Sequence, residues 1–148
     1  MSVTQETLET SELINWTIFQ ELLLMDEDEE GFALSLVETF VQQANETFIK
    51  IEELINSNNT NDETLEKLSQ LGHYLKGSAA ALGLRKVQEQ CERIQNYGKK
   101  DSFDNNEIAN NARDNNDWIK CVNEAYRETR INFDKSKLLL SQYFQSEL

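Results

Sequence analysis

Apolar side chains recur every three or four residues along most of this chain, which is the spacing that aligns them on one face of an α-helix. A short first helix is predicted over residues 16–25, with Asn15 as its N-cap. Longer helices are predicted over residues 28–56, about 62–83, 84–97 and 117–144. Four long amphipathic helices with short connections predict an all-α fold, an antiparallel four-helix bundle with the short N-terminal helix added to it.

Polar segments lie between and before these helices. Residues 1–12 carry few apolar side chains, and we expect them to form a flexible tail ahead of a single domain spanning residues 13–148. Residues 99–116 are rich in Asn and Asp and predict a polar loop or a loose short helix. The acidic run Asp26–Glu30 favours the positive end of the next helix dipole, and contact with lysines of a partner is the alternative.

Composition excludes several classes of protein. A formal net charge of −13 argues against binding to nucleic acid and to anionic membrane surfaces. The longest apolar runs are far shorter than the roughly 20 residues of a membrane span, and the first residues lack the pattern of a secretory signal. Cys91 and Cys121 lack metal-ligand spacing, so we expect buried thiols in a reducing cytosol and no metal site.

The only histidine of the chain lies in the stretch "LGHYLKGSAAALGL", residues 71–84, of the third long helix. Thr60 or Asp62 is the predicted cap of this helix, and Gly83 marks its end. At about 100° per residue the inward side chains fall within an arc of roughly 80°, and His73 lies roughly 160° from its centre. These inward side chains are Leu68, Leu71, Leu75, Ala79 and Leu82. His73 is therefore predicted to point outward.

Small residues and one cation surround this outward histidine. Gly77 and Ala80 follow it on the same face, and Lys76 lies to its side. A glycine inside a helix costs up to about 1 kcal/mol relative to alanine, but it leaves open space beside the imidazole. Neutral imidazole, with an ordinary pKa of about 6.5, is a good nucleophile towards phosphorus near neutral pH. Exposure, clearance and a nearby cation together suit a histidine that accepts a phosphoryl group.

Spacing alone leaves a second interpretation open with equal weight. His73 is then an incidental surface residue, and Gly77 and Ala80 serve close packing between helices. A hydrolytic pair of Cys91 with His73 is disfavoured, because Cys91 lies on the inward stripe of its own helix and no oxyanion-hole pattern is visible.

The histidine stretch and "CERIQNYGKK", residues 91–100, closely resemble histidine-containing phosphotransfer (HPt) proteins, in particular the fungal members of osmosensing multistep phosphorelays. Residues 14–32 and 128–144 also resemble the opening and closing segments of that family. The fungal relatives often carry a longer acidic insertion near residues 99–116. The resemblance implies a helical bundle with an exposed phosphorylated histidine, and it makes residues 13–148 a single HPt domain.

The same resemblance implies roles for individual residues. His73 would accept the phosphoryl group through Nε2, and Lys76 would offset its negative charge. Gly77 would leave space for a docking receiver domain, Gln95 would orient the imidazole from the neighbouring helix, and Ser78 would support the same face. Ala79 stands where the family often has a second serine, and little effect is expected because this position points inward.

A docking patch for receiver domains is also implied by the resemblance. Its members are Ile18, Leu22, Met25, Phe32, Leu36 and Tyr74, the last in place of a common Phe. Helical spacing predicts a core position for the first five as well. Ile18 and Met25 favour the interface, while Leu22 and Leu36 are balanced between surface and core.

The resemblance implies a phosphorelay intermediate. It would accept a phosphoryl group from the receiver aspartate of a hybrid histidine kinase and pass it to the receiver of a response regulator. Mg²⁺ would belong to the receiver, and this chain would hold no cofactor of its own. It has no Gly-rich nucleotide motif, so neither ATP binding nor kinase activity is expected. We expect a monomer in the cytoplasm and also in the nucleus; the alternative function is a non-catalytic helical adaptor.

Overall fold

The computed structural model describes residues 3–148, which form seven helices. Within this range no residue lies in a β-strand, although one isolated antiparallel bridge joins Ile14 and Leu84. The helices are α1 (Gln5–Thr10), α2 (Trp16–Met25), α3 (Phe32–Asn56), α4 (Asp62–Ala81), α5 (Arg85–Gly98), α6 (Glu107–Asn110) and α7 (Asn115–Phe144). The predicted all-α bundle is confirmed, with α3, α4, α5 and α7 as its four long helices.

The predicted helix ends are confirmed at the start of α2 and the end of α4, whereas the cap at the start of α4 differs. Asn15 caps α2 as predicted, since its Oδ1 accepts from the backbone N–H of Ile18 at 3.4 Å. The cap of α4 is Asn61, whose Oδ1 accepts from the N–H of Thr64 at 2.8 Å, so the prediction of Thr60 or Asp62 was wrong. Gly83 follows the end of α4 with a φ of 71°, the left-handed conformation that ends helices.

Helix α3 begins at Phe32 and not at residue 28. Gly31 has a φ of 79°, a left-handed conformation that a helix cannot continue through. Of the acidic run, Asp26 contacts the first turn of α3, because its Oδ1 accepts from the N–H of Ala33 at 2.7 Å. This contact supports the proposed interaction with the helix dipole for one member of the run.

The prediction of a flexible tail over residues 1–12 was wrong for most of that segment. Thr4 forms a capping box at the start of α1, and the side chain of Leu8 is completely buried in the core. A lone leucine in a polar run has no helical period, so the sequence pattern carried no sign of its burial. Met1 and Ser2 lie outside the described residues.

The segment of residues 99–116 contains the short helix α6, as the alternative prediction allowed, and side chains fix it to the bundle. The Tyr97 hydroxyl donates to Oδ2 of Asp104 at 2.7 Å, and Nε of Arg93 lies 3.3 Å from the same oxygen. Burial raises the pKa of Tyr97 to about 12, so this hydroxyl stays a donor. Farther along, Lys100 Nζ pairs with Asp62 Oδ1 at 2.9 Å and ties the segment to α4.

The core lies between α3, α4, α5 and α7. On the α3–α7 side, the ring of Phe48 packs edge-on against the rings of Tyr126 and Phe133. On the other side α4 makes its most extensive contacts with α5, which in turn packs on α7. No helix within residues 3–148 is both long and apolar enough to cross a membrane.

The close contact of α4 with α5 depends on two glycines. A Cβ at Gly72 would lie 2.8 Å from the backbone nitrogen of Gln95 and 3.0 Å from the carbonyl oxygen of Cys91. A Cβ at Gly98 would lie 2.7 Å from the carbonyl oxygen of Leu65. Contacts this short involve backbone atoms that cannot rotate away, so the two helices approach each other only because both positions lack a side chain.

This packing predicts opposite effects for the same substitution at two glycines of α4. Gly72→Ala should lower the free energy of unfolding by about 1–3 kcal/mol, because the new methyl group overpacks a closed interface. Gly77→Ala should raise it by about 0.5–1 kcal/mol, because alanine favours the helix and that position is open. Urea denaturation followed by circular dichroism measures both values. Equal effects at the two positions would contradict the packing argument.

Candidate functional site

His73 is exposed in the middle of α4, as its helical phase predicted. The opposite face of the helix is closed, because Leu68, Leu75 and Ala79 have no exposed surface. The regular hydrogen bonds of a 20-residue helix therefore hold the backbone of His73 rigidly while its ring stays in contact with solvent.

The imidazole lines an open groove between α4 and α5. The groove has a volume of about 230 Å³ and is lined by Ser69, Gln70, His73, Gln95 and Lys99. Gln95 thus reaches the histidine from the neighbouring helix, where it was predicted to lie. Lys99 was missed, because it directly follows the glycine that ends α5 and so lies outside the helical pattern.

The amide of Gln95, a residue that lines this groove, has an unused acceptor. Its Oε1 is buried, and no group of residues 3–148 donates a hydrogen bond to it. A buried polar atom without a partner is costly, and such atoms often mark a functional contact. An imidazole N–H is a donor of the right kind, and His73 lines the same groove.

Gly77 leaves the space beyond the histidine open. A Cβ built there would meet no heavy atom within 4 Å among residues 3–148, apart from the adjoining chain of α4 itself. The alternative in which Gly77 serves close helix packing is therefore wrong, and Gly72 has that role instead. Ala80, on the same outward face, is half-buried, and so is Lys76 at its side.

Ser78 does not lie with the histidine. It lines a separate groove between α3 and α4, together with Leu36, Gln43 and Leu82. Five residues along a helix correspond to a rotation of roughly 140° from His73, which turns Ser78 towards α3. The structure thus places Ser78 beside α3 and not in the lining of the histidine groove.

The predicted docking residues differ in exposure. Met25 and Tyr74 expose 49% and 47% of their surface, respectively, which suits an interface. Ile18, Phe32 and Leu36 are half-buried. Leu22 retains only 8% exposure and belongs to the core, which was one of the two alternatives for this residue. Leu24, with 59% exposure, was missed because it lies off the apolar line of α2.

Neither cysteine takes part in this site. Cys91 is completely buried, and burial raises the pKa of its thiol to about 12, so it stays protonated and cannot act as a nucleophile with His73. Cys121 is also buried, and burial raises its pKa as well. Among residues 3–148 no group of three or more His, Cys, Asp or Glu side chains is placed to hold a metal ion.

The fold and the site together define a class of protein. An enzyme acting on a small molecule usually encloses its substrate in a cleft. Here a single imidazole stands on a rigid helix beside a shallow groove, with open space on one side and a lysine and an amide on the other. This arrangement suits a helical carrier whose reactive histidine meets a second protein.

Comparison with known proteins agrees with this class. Residues 35–126 match the profile of the Hpt domain. The phosphorelay intermediate protein YPD1 of Candida albicans is 38% identical over 95% of this chain and 97% of that protein. The YPD1 protein of Saccharomyces cerevisiae is 32% identical over 93% of this chain and 97% of that protein. The chain therefore belongs to the Hpt domain family, the histidine-containing phosphotransfer proteins.

Solved structures give the same result. The co-crystal structure of the Saccharomyces cerevisiae histidine phosphotransfer signaling protein Ypd1 with the receiver domain of its downstream response regulator Ssk1 is similar to this fold. Its phosphotransfer chain has a TM-score of 0.79 and 36% identity, covering 93% of this chain and 98% of that one. The helical-bundle fold that the resemblance implied is thus confirmed.

The burial of both thiols predicts their reactivity. Ellman's reagent at pH 8 should not react with the native protein within minutes, because both sulfurs are inaccessible and protonated. In denaturant two thiols per chain should react at once. Rapid labelling of one thiol in the native state would show that a cysteine is available to the site.

Proposed function

We propose that His73 is the phosphoryl acceptor of a phosphorelay intermediate. It would take a phosphoryl group from the receiver aspartate of a hybrid histidine kinase and pass it to the receiver aspartate of a response regulator. The observation that carries the proposal is the exposed imidazole of His73, which lies beside Gln95 and Lys99 on one side and the open position of Gly77 on the other.

The chemistry requires one nucleophile and good positioning. The lone pair of Nε2 attacks phosphorus in line, the bond between phosphorus and the aspartyl oxygen breaks, and the carboxylate leaves. The Nδ1–H can donate to Oε1 of Gln95, which fixes the ring and the reactive tautomer. The reverse sequence moves the phosphoryl group to the second receiver.

Two lysines, one on α4 and one directly after α5, would stabilise the transferred charge. Lys76 lies three residues after His73 on α4, and Lys99 reaches the groove from the end of α5. A phosphoryl group held between carriers has a charge spread over its oxygens, and cations on two sides lower its energy. Lys99 adds a residue to those that the family resemblance implied.

Docking would use the face around the histidine. Met25 and Tyr74 supply exposed apolar surface, and the half-buried Ile18, Phe32 and Leu36 extend it. An apolar patch with charged surroundings is typical of a transient interface. The similar yeast protein was crystallised with the receiver domain of a response regulator, which supports the same kind of partner here.

The proposed function also has consequences for cofactors, nucleotide binding, oligomeric state and location. The chain would need no cofactor, since Mg²⁺ would be held by the receiver. It would not bind ATP and would not phosphorylate itself, because it has no Gly-rich nucleotide motif. A monomer leaves the histidine face free, and we place the protein in the cytoplasm and the nucleus.

The first test follows labelled phosphate from a receiver domain. The protein is incubated with a phosphorylated receiver domain and Mg²⁺, and label should move to it as an acid-labile, base-stable adduct. His73→Gln should abolish this transfer, because glutamine has no nucleophilic nitrogen while keeping a similar polar size.

The position of His73 makes this result easy to interpret. The side chain is exposed, so its replacement should leave the circular dichroism spectrum and the unfolding midpoint within error of the parent. Transfer of label to the variant at the parent rate would overturn the assignment and favour a non-catalytic helical adaptor.

A second test concerns the open position of Gly77. Gly77→Gln should raise the receiver concentration for half-maximal transfer about tenfold or more, because the new side chain occupies the space that the receiver needs. Glu66→Gln is the matched control, since it places a glutamine on the same face roughly 16 Å along the helix. Equal half-maximal concentrations for both variants would contradict the role of clearance at Gly77.

A further inference from the structure

A buried serine lies directly beneath the groove of His73. Ser69 is on α4, one turn before the histidine, and only 4% of its surface is exposed. Its Oγ donates a hydrogen bond to the backbone carbonyl of Gln95 on α5 at 2.8 Å. The hydroxyl thus links the helix that carries the histidine to the residue that orients the ring.

This carbonyl needs a donor from outside its own helix. In an α-helix the carbonyl of Gln95 would accept from the N–H of Lys99. The last turn of α5 is tighter than an α-helix, because the N–H of Lys99 donates to the carbonyl of Asn96, three residues earlier, at 3.0 Å. The carbonyl of Gln95 is therefore one of the unsatisfied groups of a helix C-terminus, and Ser69 supplies the missing hydrogen bond.

The surroundings leave this hydroxyl little freedom. A Cβ at Gly98 would lie 2.8 Å from both the Cβ and the backbone nitrogen of Ser69, so the chain of α5 passes directly over the serine. On the other side, Gly72 allows the backbone of Gln95 to approach α4. Because the packing is this close, any shift of Ser69 would also shift the backbone of Gln95.

We propose that Ser69 is a positioning residue for the transfer reaction. Its hydroxyl fixes the backbone of Gln95 and so holds the side-chain amide beside the imidazole of His73. The proposal rests on the proposed function of His73 and adds a residue that does not touch the phosphoryl group. Ser69 acts only through Gln95, and this property separates it from a residue that merely stabilises the fold.

The experiment measures transfer from a phosphorylated receiver domain at saturating receiver concentration. Ser69→Ala should slow the first-order transfer step by roughly threefold to tenfold, the equivalent of one ordinary hydrogen bond. The receiver concentration for half-maximal rate should not change, because only 4% of the surface of Ser69 is exposed to a partner. In a Gln95→Ala background, Ser69→Ala should have no further effect on the rate.

The control removes a hydroxyl of the same kind elsewhere. Thr47 on α3 also has 4% exposure, and its Oγ1 donates to the carbonyl of Gln43 at 2.8 Å. Thr47→Val should leave the transfer step at the parent rate. If Ser69→Ala does not fold, Ser69→Cys keeps the size and a weaker donor, and it should show a smaller slowing with the same dependence on Gln95.

A second measurement does not depend on transfer. The chain has one histidine, so its ring gives a single set of nuclear magnetic resonance signals. Ser69→Ala should shift these signals and Thr47→Val should not. A rate equal to the parent, or a slowing that persists in full without the Gln95 amide, would overturn the proposal. If the parent itself accepts no phosphoryl group, the function of His73 fails, and unshifted ring signals would then overturn the positioning role separately.

Discussion

The close approach of α4 and α5 is the constraint on which the rest of the site depends. Gly72 and Gly98 remove the two side chains that would separate these helices, because a Cβ at either position would meet backbone atoms at 2.7–2.8 Å. His73 directly follows Gly72 on α4, and the backbone of Gln95 lies against Gly72. The separation of the histidine backbone from the backbone of Gln95 is therefore set by packing in the core and not by flexible surface side chains.

Two glycines on different faces of α4 give the helix rigidity and access at the same time. Gly72 is buried and closes the interface with α5, whereas Gly77 is exposed and keeps the space beyond the imidazole empty. Each glycine lowers the stability of α4 as an isolated helix. At Gly72 the close packing with α5 offsets this cost, and at Gly77 the cost is accepted for open space beside the histidine. A carrier needs both, since the ring must be held still while two different partners approach it in turn.

Helical periodicity predicted the parts of the molecule that have a repeating pattern. It placed the long helices within a few residues, and it placed His73 on the outward face of α4. It failed where one residue decides the structure, as at Leu8, whose burial has no period, and at Gly31, whose φ ends the preceding turn. Lys99 and Ser69 were missed for a related reason. Their proposed roles depend on where α5 ends and on which residues of α4 it crosses, and the pattern along a single helix shows neither.

Charge distribution explains how an acidic chain can handle an anionic group. The chain has a net charge of −13, while the groove of His73 has Lys99 in its lining and Lys76 follows the histidine by three residues. At physiological ionic strength, charges farther apart than about 8 Å are largely screened, so a phosphoryl group at His73 would respond mainly to the charges nearest to it. The distant acidic residues instead disfavour nucleic acids and anionic membranes. Under the proposed function, local cations on an acidic chain would therefore let the histidine accept a phosphoryl group while the overall charge disfavours other polyanions.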